Sequence, residues 1–112
     1  VKRNFRLTQS TDFKRVRRCG KSYAHPLFVL VIMPAEGERT RFGVTASRSI
    51  GSAVQRNRAK RLVREALRLL LPEIKSGWMA VIITRPPILR AEFTEINSSL
   101  RQLLLKADLV HG

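Results

Sequence analysis

The stretch GSAVQRNRAKRLVREALRLLL, residues 51–71, decides how the rest of the chain is arranged. At about 100° per residue, Ala59, Leu62, Val63, Ala66, Leu67 and Leu70 fall on one face, the pattern of a helix that packs on a core. Asn57, Lys60, Arg61, Arg64 and Arg68 gather on the opposite face, with Arg56 near its edge. Ser52 is placed to cap the N-terminus, Gly51 precedes it, and Pro72 stops the helix at Leu71. A solvated helix face usually mixes charge signs, because opposite charges one turn apart stabilise it slightly. Here six cations, Arg56, Arg58, Lys60, Arg61, Arg64 and Arg68, meet a single acid, Glu65. Their mutual repulsion costs stability, and a polyanion lying along the face would remove that cost.

The whole chain carries the same bias. Its 112 residues hold 22 Lys and Arg against 8 Asp and Glu, a net charge of +14. Such a surface suits nucleic acid, an anionic membrane or an acidic protein. A hydrophobic fraction of 44% is enough for one domain, expected over residues 1–112, with its own core. No apolar run approaches the length of a membrane span, and no charged-then-apolar leader opens the chain, so a cytoplasmic protein is expected. Cys19 is the only cysteine, which fits a reducing compartment and excludes an internal disulfide.

Working outward, residues 1–9 form a basic arm with Lys2, Arg3 and Arg6 around Phe5. A short helix is predicted from Ser10 to Cys19, ended by Gly20, with Phe13 and Val16 on its apolar side. A short strand follows over residues 21–25, and LFVLVIM, residues 27–33, reads as a central strand. Arg41 to Ser47 is the next strand, expected as the antiparallel partner of that one. Its Phe42, Val44 and Ala46 share a core face, while Gly43, Thr45 and Ser47 share a face small and polar enough to meet a ligand. WMAVIIT, residues 78–84, is a buried strand, RPP at 85–87 breaks the chain, and a last helix runs from Ala91 to Ala107. The order α-β-β-β-α-β-α describes an α/β (α+β) two-layer sandwich on a four-stranded sheet. Its strand–helix–strand unit would ordinarily be right-handed.

Catalytic chemistry of the protein's own is not in view. The acids form no spaced cluster of the kind two-metal nucleases use, and His25 has no Asp or Ser near it in sequence. Cys19, His25 and His111 make no transition-metal ligand set. RSIGSAVQRNR lacks the glycine spacing and the Lys-Ser/Thr ending of a phosphate loop, although the helix start at Gly51–Ser52, with Arg48 before it, could hold a phosphate. Single-strand binding calls for aromatic platforms, for which Phe13, Phe5 and Phe28 are the candidates.

RFGVTASRSIGSAVQRNRAKRLVREALR, residues 41–68, closely resembles the signature region of the bacterial ribonuclease P protein subunit. Arg56-Asn57-Arg58 is its core, with Lys60, Arg61 and Arg64 at the family's spacing, and RLTQSTDFKRV upstream resembles that family's N-terminal segment. The resemblance implies a small partner of a catalytic RNA in an endonuclease that removes 5′ leaders from precursor tRNA. It implies a one-to-one complex with that RNA, and Mg²⁺ bound mainly by the RNA rather than by the protein. It also implies a left-handed βαβ crossover, as in the second domain of a small-subunit ribosomal protein.

Carried over by position, Arg56, Asn57, Arg58, Lys60, Arg61 and Arg64 face the catalytic RNA, and Arg68 continues their row. Phe13, Arg17, Val31, Thr45, Ser47, Arg48 and Ser49 fall where the family holds the precursor's leader. The family often has an aromatic where Arg17 stands, in some members another at Val31, and often a lysine at Ser49. Two other classes remain open on the residues alone: a non-catalytic RNA-binding or ribosomal protein on a similar sandwich, and a protein-only nuclease.

Overall fold

The computed structural model describes residues 10–36 and 39–110, so the basic arm expected at residues 1–9 lies outside the described residues. The elements are α1 (Ser10–Cys19), β1 (Lys21–Ala24), β2 (Phe28–Pro34), β3 (Arg41–Ala46), α2 (Ala53–Leu70), β4 (Trp78–Thr84) and α3 (Phe93–Lys106). Short 3-10 turns at Arg48–Ile50, Leu71–Glu73 and Pro86–Arg90 join them. Among the described residues no helix is long and apolar enough to cross a membrane.

The sheet order is β1-β2-β4-β3. β2 pairs with β1 and with β4, both antiparallel, and β3 pairs with β4 in parallel. This corrects the expectation that β3 is the antiparallel partner of β2, because β4 is inserted between them. The reason lies in the residues of β4. Met79, Ala80, Val81 and Ile82 are all buried, so this strand needs cover on both faces and a neighbour on each edge. β3 begins at the exposed Arg41 and ends in half-buried Thr45 and Ala46, and so it tolerates the edge. A parallel β3–β4 pair needs a crossover, and α2 supplies it.

Side-chain parity then divides the core. On one face Phe28, Leu30 and Ile32 of β2, Phe42 and Val44 of β3, and Ala80 and Ile82 of β4 pack against α2 and α3. Ala59, Val63, Ala66, Leu67 and Leu70 are the α2 contribution, with Leu62 partly buried beside them. This sheet-on-helix sandwich is the main core. α1 lies across the other face and closes a smaller cluster of Val16, Val31, Met79 and Val81.

The register sets that second face out in rows. Met33, Met79 and Arg41 form the first, Val31, Val81 and Gly43 the second, and Val29, Ile83 and Thr45 the third. α1 covers the first two: a Cβ on Gly43 would strike the ring of Phe13, and Gly20, after the end of α1, passes over Val31. Val29, Ile83 and Thr45 are only half-buried. Gly43 is therefore what lets α1 approach the sheet closely. Gly43→Ala should lower stability by about 1–3 kcal/mol, the usual cost of overpacking. Denaturant unfolding checks it, and Phe13→Leu in the same chain should recover part of the loss.

Candidate nucleic-acid interface

α2 starts where its sequence says it should. Ser52 accepts from Gln55 N (3.2 Å), and the Gln55 side chain accepts from Ser52 N (3.1 Å), a complete capping box. Gly51 sits at φ 123°, a conformation that side chains other than glycine's rarely adopt. With the helix start anchored and the apolar stripe buried, the remaining faces have no choice of orientation. Asn57, Arg58, Arg61 and Arg68 are exposed, and Arg56, Lys60 and Arg64 are half-buried.

Helical spacing sorts these residues into three lines. Asn57, Arg61, Arg64 and Arg68 run along the outermost ridge. Arg56 and Lys60 stand one turn apart along one edge of it, and Arg58 lies on the other edge. Val54, Asn57, Arg61 and Arg64 border an open groove of about 460 Å³. Val54 is 78% exposed at its head, an apolar contact that charge counting passed over. Glu65 takes one cation out of the row: Arg68 donates to its carboxylate through Nη2 (2.8 Å) and Nε (3.3 Å). That hydrogen bond first, and the guanidinium charge second, hold the Glu65 carboxyl below the usual range.

The residues expected from the resemblance to meet the leader gather around α1 and the loop after β3. Phe13 is half-buried over Gly43, and Arg17, one turn on, is exposed. Arg15 occupies the opposite flank of α1, where its Nη2 lies 3.9 Å from Met79 Sδ in the first row. Arg17 therefore looks toward the third row, where Val29, Ile83 and Thr45 leave part of the sheet open. Val29 and Ile83 were not legible in the sequence as surface, since only the register and the path of α1 leave them uncovered.

Val31 requires a correction. It is 3% exposed within the cluster beneath α1, so its side chain is a wall of that core and offers no nucleotide a surface. Valine lacks the reach of an aromatic ring to emerge from under the helix.

The loop after β3 is held at both ends. Thr84 Oγ1 donates to the Thr45 carbonyl (3.2 Å) and Ser47 N to the Thr84 carbonyl (3.1 Å), tying the ends of the two parallel strands together. Ser47 Oγ accepts from Ser49 N (3.2 Å), and the two hydroxyls lie 2.6 Å apart. Ile50 is buried and anchors the turn, which leaves Arg48 exposed between the two serines. Here Ser49 stiffens the loop and supplies no charge.

His25 has a structural role. Its Nδ1 accepts from Leu27 N (3.0 Å), its ring stacks on Phe28 at 5.2 Å, and its carbonyl accepts from Arg85 (3.2 Å). Among the described residues no three His, Cys, Asp or Glu side chains come together as a metal-ligand set. One pair of cations was not legible in the sequence: Arg41 Nη2 lies 3.9 Å from Met79 Sδ, the same sulfur that Arg15 approaches. Its two members are 26 residues apart, and nothing but the fold brings them together.

Glu65 is the residue that limits the α2 row. Glu65→Gln should tighten binding to structured RNA a few-fold at about 0.1 M salt and steepen the log–log salt dependence by up to about one unit. Filter-binding titrations across salt concentrations measure both.

The family model described as Ribonuclease P matches residues 1–108. The ribonuclease P protein component of Herpetosiphon aurantiacus is 41% identical over 111 residues, covering 99% of this chain and 90% of the relative. That of Chloroflexus aurantiacus is 40% identical, covering 98% and 82%. Among solved structures, the Staphylococcus aureus RNase P protein superposes with a TM-score of 0.84 at 29% identity, covering 96% of this chain and 98% of the other. The Thermotoga maritima RNase P protein gives 0.81 at 30% identity, covering 96% and 98%. By sequence over nearly its whole length, and by fold, this chain belongs to the ribonuclease P protein family.

Proposed function

We propose that this chain is the protein partner of a large catalytic RNA in ribonuclease P, docking on that RNA through α2 and holding the 5′ leader of precursor tRNA in the cleft beside α1. The observation that carries this reading is the α2 face. Its core stripe fixes the helix rotation, and the outward side then presents a cationic row in which Glu65 offsets Arg68.

Two polyanions brought together repel, and cations placed between them relieve that repulsion. The fold suits this task because α2 and α1 lie on opposite faces of one sheet. The Ser47–Ser49 loop leaves the end of β3, the strand that has one side toward each helix. In this reading Arg56, Asn57, Arg58, Lys60, Arg61 and Arg64 bind the RNA backbone. Phe13 offers its ring to a leader base, Arg17 and Arg48 take leader phosphates, and Thr45, Ser47 and Ser49 offer hydrogen bonds to the same strand. The chain contributes binding and orientation, and the chemistry of phosphodiester hydrolysis belongs to the RNA. Mg²⁺ held mainly by the RNA would supply activation of the hydrolytic water.

Cleavage of precursor tRNA at low Mg²⁺ by protein alone, RNA alone and both together tests the assignment. Activity restored only in the mixture is expected. Cleavage by the protein alone would overturn it, and an RNA whose activity ignores the protein would move the chain to another RNA-binding role. Lys60→Ala and Arg64→Ala should each weaken RNA binding and lower the salt slope by about 0.9, one phosphate contact. Unchanged slopes in both would remove α2 from the interface. Phe13→Ala should weaken binding of leader-bearing precursor by roughly 1–3 kcal/mol, the worth of one base–aromatic stack, and leave mature tRNA nearly unaffected. Equal losses for the two RNAs would make Phe13 a packing residue only.

A further inference from the structure

A hollow of about 510 Å³ adjoins the loop after β3 at Ser49 and extends away from it, between the Arg48–Ile50 turn, the first turn of α2 and the Pro86–Arg90 turn. It opens at the carboxyl ends of the parallel strands β3 and β4, where the chain leaves each strand for its following turn. Ile50, Leu89 and the rings of Pro86 and Pro87 provide apolar walls, and Ser49, Gln55 and Arg90 supply the polar groups. The proline pair is rigid, because each ring fixes its own backbone torsion.

Gln55 is the informative member. Its Oε1 is committed to Ser52 N in the capping box (3.1 Å), so the amide is oriented and its NH₂ remains as a donor. Arg90 is an exposed cation at the same hollow. Apolar walls beside one fixed donor and one cation suit a nucleotide, which has a flat base, acceptors on the base edge and a phosphate. The volume falls within the range of small-ligand pockets, about 300–1,000 Å³. The hollow is also continuous with the RNA-facing surface, since Ser49 belongs to the loop beside the cleft and Gln55 to the helix that carries the cationic row.

We propose that this hollow binds one unstacked nucleotide of the RNA on which α2 docks. Its base lies against Pro86, Pro87 and Leu89, a base acceptor receives the Gln55 NH₂, and its phosphate meets Arg90. The identity of that RNA rests on the function proposed above, whereas the pocket can be tested without it.

The test follows the Ile50 and Leu89 methyl resonances of the whole chain during titration with AMP, GMP, CMP and UMP, with inorganic phosphate and ribose 5-phosphate as separate arms. At least one nucleotide should give saturable shifts with a millimolar dissociation constant, and neither phosphate control should reproduce them. Arg90→Ala and Gln55→Glu should each weaken that binding at least tenfold. Gln55→Glu keeps the capping box, since glutamate serves at the same position, so its melting temperature should stay near that of the parent. Absent shifts at about 20 mM nucleotide, well above a millimolar dissociation constant, would overturn the proposal. So would equal shifts with inorganic phosphate, or unchanged binding in both variants. If nucleotide binding holds but the chain has no effect on RNA-catalysed cleavage, the ribonuclease P role fails and the pocket stands. The opposite pair of results removes the pocket alone.

Discussion

The burial of β4 on both faces is the constraint from which the rest of the structure follows. Four consecutive residues, Met79 to Ile82, are each within 1% of full burial, alternating between two separate clusters. A strand of this kind cannot sit at an edge, so it displaces β3 from β2 and forces the chain to cross over through α2. It also cannot leave either face bare. α2 and α3 cover one side, and α1 covers the part of the other that lies over Met79 and Val81. Two helices on opposite faces give the molecule two separated basic surfaces on one rigid platform.

Electrostatics then works against the isolated chain and in favour of a complex. The apolar stripe of α2 leaves the helix no freedom to turn its cations away from one another, and the Glu65–Arg68 pair relieves only the end of the row. On the α1 side Arg15 and Arg41 approach the same sulfur from two elements, with Asp12 3.8 Å from Arg15 as partial compensation. Exposed ion pairs of this kind contribute little to stability in water.

Small residues decide how close the elements come. Gly43 admits the ring of Phe13, which sets the height of α1 above the sheet and therefore the depth of the cleft beside it. Gly51 turns the chain into α2 while leaving room for the Gln55 amide. The loop between β3 and α2 is thus shaped by hydrogen bonds and close backbone approach, and its one cation, Arg48, is displayed on a rigid support.

Taken alone, the sequence determined the elements and the two faces of α2, because helical periodicity, a capping serine and a proline are local signals carried by adjacent residues. It also carried the family, through a long motif of cations at set spacing. Tertiary structure alone decided which strand is central, since the apolar runs of β2 and β4 are alike and only their competition for cover places β3 beside β4. It alone buried Val31, opened Val29 and Ile83, and joined Arg15 to Arg41 and Gln55 to Arg90. Those pairings depend on register and on the path of α1 over the sheet, which are set by contacts between residues far apart in the chain.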